Sequence, residues 1–306
     1  RPVRLPAARA LLARAYGRLS LRHWRGVAAA FALTVGMVLA PASDAGPVHT
    51  YYVSLGDSLA RGWQPSPDGS THDTQAGYVD DVAAYLSRKD PDVETVKFGC
   101  GGETTTTMVK GGTCSYSVGS ELGEAERFLR SHRGRIAAVT VNIGDNDVES
   151  CLSGGSIDHG CVNAAMAAIR AQLPGIAARL RAAAGPGVRI AGLTDYDQFL
   201  AYWLRGGTAR QFARDSVPVI GALNETVDAI YRKAGVAVAD GSDAFATSDL
   251  GHRVTLPGHG TVPRAVARVC TWTWACSPPP IGFNDHANAT GYAVLGRVVV
   301  GALQHR

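Results

Sequence analysis

Four short stretches carry side chains from which acyl-transfer chemistry can be assembled. Residues 53–59 read VSLGDSL, which sets Ser58 behind a Gly-Asp pair at the end of an apolar run. Residues 99–104 read GCGGET, 144–147 read GDND, and 284–288 read NDHAN around His286. A serine hydroxyl is a weak nucleophile at neutral pH and needs a base beside it. Imidazole suits that role, with an ordinary pKa of about 6.5. The tetrahedral intermediate puts charge on an oxygen, and that charge needs fixed donors. The backbone N–H groups of Ser58 and Gly102 and the side-chain amide of Asn146 are candidates for that hole. Each stretch alone has a plain reading as a turn, a loop glycine, a helix cap or a structural histidine. Their joint occurrence favours chemistry.

The elements around them have the pattern needed to bring them together. Strand-like runs at Thr50–Leu55, Val93–Phe98, Ile136–Ile143, Val188–Leu193 and Val236–Ala239 alternate with helical spacing at Gly77–Arg88, Leu122–Arg130, Ala164–Ala183, Ser216–Ala234 and Ala289–Leu303. Such alternation predicts an α/β fold, a parallel sheet covered by helices on both faces. In open sheets of that kind, sites collect beyond the carboxyl ends of the strands. Ser58, Gly102 and Asn146 each stand just after a predicted strand, and His286 stands just before the last predicted helix.

The 306 residues carry 30 basic and 26 acidic side chains, a net +4. Seven arginines and no acid fall in residues 1–42, where a basic stretch precedes the fifteen-residue apolar run 26–40 and an Ala-Pro-Ala sequence. This is the pattern of an export signal, and the run is short for a membrane span. We expect a leader over residues 1–42, cleaved after Ala42 or Ala45, one folded domain over residues 48–304, and a secreted chain with no stable membrane span after cleavage. Without the leader the net charge is −3, and no excess of basic residues remains to suggest a nucleic-acid partner. A monomer is expected.

Six cysteines, an even number in an exported chain, suggest disulfides. Fifteen pairings exist; the local one, Cys100–Cys114, Cys151–Cys161 and Cys270–Cys276, closes three Gly/Ser/Pro-rich loops. No cysteine or histidine cluster has zinc-ligand spacing. The GGETTTT run lacks the Lys-Ser/Thr ending of a phosphate-binding loop, and GDNDVE lacks the glycine and distal glutamate of a calcium loop. No metal or organic cofactor is expected. His72 and His259, the rival bases, lie in polar or Gly/Pro-rich loops. Trp272 and Trp274 are expected to pack on the scaffold or to form a lip on the cleft. Tyr196, Phe199, Tyr202 and Trp203 are candidates for a cleft wall.

With these residues in place the chain resembles the SGNH hydrolases, or GDSL esterases/lipases. GDSL at 56–59, GGET at 101–104, GDND at 144–147 and the His286 region, followed by ANATGY, match that family's four blocks in order, and the three local cysteine pairs resemble its secreted actinobacterial lipases. The resemblance implies a three-layer α/β/α sandwich and a serine esterase acting on small-molecule or lipid esters, fatty-acyl ones foremost. It implies Ser58 as nucleophile, His286 as base, and Ser58, Gly102 and Asn146 as the oxyanion hole. One departure stands out. The family's acid lies three residues before its histidine, where this chain has Phe283. Some members orient the histidine with a backbone carbonyl, and that is the expectation here, with the adjacent Asp285 as a candidate acid. A carbohydrate acetylesterase and a non-catalytic binding protein that kept the fold are the alternatives.

Overall fold

The computed structural model describes residues 49–304. The expected leader, residues 1–42, and both of its cleavage positions lie outside the described residues. Five strands, β1 (Thr50–Gly56), β2 (Val93–Lys97), β3 (Ile136–Asn142), β4 (Arg189–Leu193) and β5 (Ala237–Ala239), form one parallel sheet in the order β2-β1-β3-β4-β5. Val53 pairs with Val96 on one side and Val139 on the other, and Asn142 lies between Gly56 and Leu193. Side chains alternate across the sheet with the two-residue period of a strand. Val53, Leu55, Val139, Val141 and Ile190 enter one apolar core, while Tyr52, Ala138, Ala191 and Leu193 enter the other.

The first core is closed by α3 (Thr105–Lys110), α4 (Glu121–Ser131), α6 (His159–Ala184) and α7 (Gly207–Lys233). The second is closed by α2 (Tyr78–Ser87), α9 (Arg264–Trp272) and α10 (Ala289–Gln304). This is the three-layer α/β/α sandwich. Burying each Leu, Ile or Val of these faces contributes about 1.5–3 kcal/mol, which pins the register, because a one-residue slip would turn every side chain to the wrong layer. The strand order reverses direction between β1 and β3, so a crevice opens there beyond the strand ends. No helix among the described residues is long and apolar enough to cross a membrane.

Three differences from the sequence reading have physical causes. Helix α7 begins at Gly207 rather than Ser216 and runs through Pro218, because its face packs on a 3₁₀ helix, Gln198–Arg205, and on α6. Tertiary packing there outweighs proline's missing hydrogen bond. Helix α6 starts five residues earlier than Ala164, at His159, where the Asp158 side chain accepts the N–H of Cys161 at 2.9 Å and caps it. The segment around His259 is no open loop: Arg253–Leu256 pairs antiparallel with Gly260–Pro263, and His259 sits at the exposed turn.

Candidate active site

Ser58 is the first residue of α1 (Ser58–Arg61), a single turn directly after β1. Asp57 caps that turn, accepting the Leu59 N–H at 2.9 Å. The corner requires glycine at 56: φ is +135°, and a Cβ there would lie 2.1 Å from the Asn142 carbonyl oxygen. The Gly56 N–H donates to Oε1 of the fully buried Glu121 at 2.6 Å, so α4 is tied to the nucleophile corner. Sequence reading missed Glu121. It stands far along the chain, and its only local mark is an acid in the first turn of a helix.

The other two blocks are tied to each other. Asn146 is the second residue of α5 (Asp145–Glu149); Gly144 holds the cap position, so the asparagine is free of that duty. Asp147 accepts the backbone N–H of Thr105 at 2.8 Å and its hydroxyl at 2.6 Å, fixing the Gly102 loop to the Asn146 turn. The Cys100–Cys114 disulfide closes the same loop. Gly101 and Gly102 now separate. A Cβ on Gly101 would strike the Trp63 ring at 2.2 Å, while Gly102, at φ +78°, is exposed and meets only Thr113 at 4.0 Å. Gly102 therefore presents the accessible backbone, and Gly101 provides room for the indole.

His286 is 6% exposed and is held by its neighbours. Its carbonyl accepts the Trp274 N–H at 3.0 Å, Asn288 N–H donates to the Trp272 carbonyl at 2.9 Å, and the Cys270–Cys276 disulfide closes the supporting loop. Asn284 Oδ1 is hydrogen-bonded to Nδ1 at 3.1 Å, and the Asp285 carboxylate lies 3.3 Å from the same nitrogen at ion-pair distance. Asn284 Oδ1 also accepts the His286 backbone N–H at 3.1 Å. The expected backbone carbonyl does not fill this place; the Asn284 side chain does, and the adjacent Asp285 reaches further than its position in the sequence suggested. Nε2 is buried with no hydrogen-bond partner among the described residues. The Trp63 ring lies 5.6 Å from the imidazole, and the Trp63 N–H donates to the Ser58 carbonyl at 3.1 Å, so one residue contacts both the histidine ring and the nucleophile turn.

A small cavity unites much of this. Asp57, Ser58, Leu59, Asp145, Asn146, Asp195, Tyr196, Gln198 and Asp285 line it. Gly102 and His286 do not line it; they adjoin it through Trp63 and Asp285. Tyr196, Phe199 and Trp203 are each 4% exposed and pack inward, so the expected aromatic wall is mostly core. Tyr196 stacks on Phe245 and donates its hydroxyl to the Asp285 carbonyl at 2.7 Å. Trp272 packs edge-on against Phe245, and neither it nor Trp274 lines the cavity. His72 sits exposed on a short hairpin, hydrogen-bonded to Ser66 at 3.1 Å. The cysteines pair as expected, with Cα atoms 6.1, 5.5 and 5.0 Å apart in Cys100–Cys114, Cys151–Cys161 and Cys270–Cys276.

Carboxyl groups crowd the cavity. Burial, reinforced by neighbouring acids, pushes Asp57 and Asp145 well above the usual carboxylate range. Burial and Asp285 push Glu149 up to about 7. Burial raises Asp195 to about 6 against the Asn142 hydrogen bond of 2.8 Å. Burial lowers His286, opposed by Asp285, so the neutral base persists below its ordinary 6.5. The linkage follows from these directions. Raised carboxyls contribute stability that is complete below their unfolded values near 4 and is lost as pH rises, through about 6 for Asp195 and about 7 for Glu149, with Asp57 and Asp145 acting in the same direction. His286 works the opposite way below 6.5, but it is one group against four. The thermal midpoint is expected to be higher at pH 5 than at pH 8 by about 5 °C or more. A differential scanning calorimetry series would check it, and an equal or lower midpoint at pH 5 would count against this electrostatic reading.

The model of the GDSL-like lipase/acylhydrolase family matches residues 54–294. No curated protein sequence matches the chain. Among similar solved structures are an extracellular lipase from Streptomyces rimosus, 18% identical with a TM-score of 0.48 over 82% of this chain and 99% of that one. Another is phospholipase A1 from Streptomyces albidoflavus NA297, 18% identical with a TM-score of 0.48 over 82% of this chain and 98% of that one. A third is an acetylxylan esterase from Geobacillus stearothermophilus, 15% identical with a TM-score of 0.48 over 84% of this chain and 95% of that one.

Proposed function

The chain belongs to the GDSL-like lipase/acylhydrolase family, and on that premise we propose that it hydrolyses carboxylic esters through an acyl-enzyme on Ser58. The observation that carries this reading is the setting of His286: Nδ1 is hydrogen-bonded to Asn284 Oδ1 at 3.1 Å with the Asp285 carboxylate 3.3 Å away, and the ring lies 5.6 Å from that of Trp63, whose backbone N–H bonds to the Ser58 carbonyl. Burial favours the neutral imidazole, the form that can accept a proton. Ser58 Oγ bonds to the ester carbonyl carbon as its proton passes to Nε2. The oxyanion is held by the N–H groups of Ser58 and Gly102 and by the Asn146 amide. Collapse of the intermediate breaks the bond to the alcohol, which leaves with the proton from Nε2. Water then adds to the acyl carbon, giving its proton to Nε2, and Ser58 leaves with that proton as the carboxylic acid departs. Three disulfides support an oxidising, extracytoplasmic setting, consistent with secretion.

The lining of the cavity bears on the acyl group. Of the nine lining residues only Leu59 and Tyr196 are apolar in body. A long acyl chain needs apolar walls; a short one does not. This favours short acyl groups over the fatty-acyl esters that the resemblance implied, with an acetyl ester on a sugar as the second reading. The test is kcat/KM of the full chain on p-nitrophenyl acetate, butyrate and decanoate. The acetate is expected to exceed the decanoate by about tenfold or more. A rise with chain length would return the reading to a lipase, and no hydrolysis of any of the three by folded, oxidised protein would overturn the esterase.

A further inference from the structure

Four arginines gather around Tyr202 and Trp203, two aromatic side chains of the 3₁₀ helix whose first residue, Gln198, lines the cavity. Arg210, Arg214 and Arg253 place their guanidinium groups 5.4, 4.8 and 6.0 Å from the centre of the single Trp203 ring. Arg205 lies 4.3 Å over Tyr202, whose ring packs 5.2 Å from Phe283, three residues before His286. The arginines come from three segments: the 3₁₀ helix Gln198–Arg205, the first turns of α7, and the hairpin strand Arg253–Leu256. These arginines are spread along the sequence from 205 to 253, and the basic patch they make exists only once the chain is folded.

All four arginines are exposed, and none makes an ion pair with a carboxylate among the described residues. Asp215, beside Arg214 in sequence, bonds to the Gln211 amide at 2.8 Å and pairs with none of the four, and Asp249 holds His252 and Arg264. Arg210 and Arg214 stand four apart on one helix, a spacing at which like charges repel. One guanidinium would suffice to cover an indole. Three around it without counter-charge cost mutual repulsion, which an external anion would relieve. Stacking also holds the planar donor forks in place, the geometry suited to carboxylate oxygens.

We propose that Arg205, Arg210, Arg214 and Arg253 form a docking surface for an acidic polysaccharide, a sugar chain carrying spaced carboxylates, and that it tethers the protein beside its cavity. Two rival polyanions fit less well. A lipid surface would be met by apolar side chains able to insert, yet Val118 is the only large hydrophobic residue exposed among the described residues. A single-stranded nucleic acid would be met by open aromatic faces, yet Trp203 is 4% exposed and its ring lies among the guanidinium groups.

The test is binding of polygalacturonate to the full chain, read by calorimetry or affinity electrophoresis, in the wild type, in Ser58→Ala, and in the triple change Arg210→Gln, Arg214→Gln, Arg253→Gln. Wild type and Ser58→Ala are expected to bind equally, and the triple change to bind at least about tenfold more weakly. Arg210→Lys with Arg214→Lys and Arg253→Lys keeps the charge but loses the planar forks, and is expected to bind more weakly than wild type yet more tightly than the glutamine variant, which separates lost charge from lost folding. Wild-type affinity should fall by about tenfold or more between ~50 and ~200 mM NaCl. Binding that is indifferent to salt, or unchanged by the glutamine variant, would overturn the proposal. So would tighter binding to phosphatidylglycerol vesicles or to a single-stranded oligonucleotide than to polygalacturonate. None of these readings depends on ester hydrolysis, so the surface and the esterase stand or fall separately.

Discussion

Ser58→Ala is expected to lower kcat on p-nitrophenyl acetate by about 10⁴- to 10⁶-fold, with the thermal midpoint held to within about 2 °C of wild type. The size of the loss follows from the reaction. Without Oγ no acyl-enzyme forms, and what remains is water attacking an ester held near the oxyanion donors. The small effect on folding follows from the site. Ser58 lies on the cavity, its backbone conformation is set by Gly56 and the Asp57 cap, and the change deletes one oxygen without introducing bulk. Steady-state rates beside a melting curve decide the matter. Equal rates in a folded variant would remove Ser58 from the mechanism, and a collapsed melting curve would show that the hydroxyl serves the fold.

The second large effect concerns the two side chains that meet His286 Nδ1, Asn284 by a hydrogen bond and Asp285 at ion-pair distance. Asn284→Ala alone and Asp285→Asn alone are each expected to cost about tenfold in kcat, whereas both together should cost about 10³- to 10⁴-fold. Asn284 Oδ1 at 3.1 Å and Asp285 Oδ1 at 3.3 Å reach the same ring nitrogen, so either can keep the proton on Nδ1 and leave Nε2 free to accept. Losing both lets the ring turn and take the other tautomer. The two differ in kind: the amide is a neutral acceptor that also fixes the backbone through the His286 N–H, and the carboxylate stabilises the imidazolium that forms during the reaction. The pH profile separates them. Asp285→Asn should move the acid limb of kcat/KM to lower pH, because Asp285 opposes the burial that lowers His286, while Asn284→Ala should leave it in place. A double variant that loses only the product of the single losses would show independent roles rather than shared support.

These expectations divide between what the chain's order shows and what its folding adds. The strands and principal helices were legible because they are local: a continuous apolar run over Thr50–Gly56 and helical spacing in Tyr78–Ser87 are properties of a few adjacent residues. Ser58, Gly102 and Asn146 were legible because a parallel sheet sends every strand end to the same edge, so position after a strand already implies proximity. The disulfides were legible because each closes a short loop. Helix α9 and its preceding hairpin were not read, since their apolar residues are few and are buried by the 3₁₀ helix, hairpin and α10 they pack against. Glu121 beneath Gly56, the choice of Asn284 and Asp285 over a backbone carbonyl, the carboxyl groups shared among Asp57, Asp145, Glu149, Asp195 and Asp285, and the four arginines around Trp203 and Tyr202 all depend on contacts between distant segments or on side-chain direction within a turn. Periodicity carries neither. The sequence by itself determined the sheet, its edge and the groups delivered there; only the tertiary structure decided which charges face one another, because electrostatic neighbours are chosen by packing rather than by order along the chain.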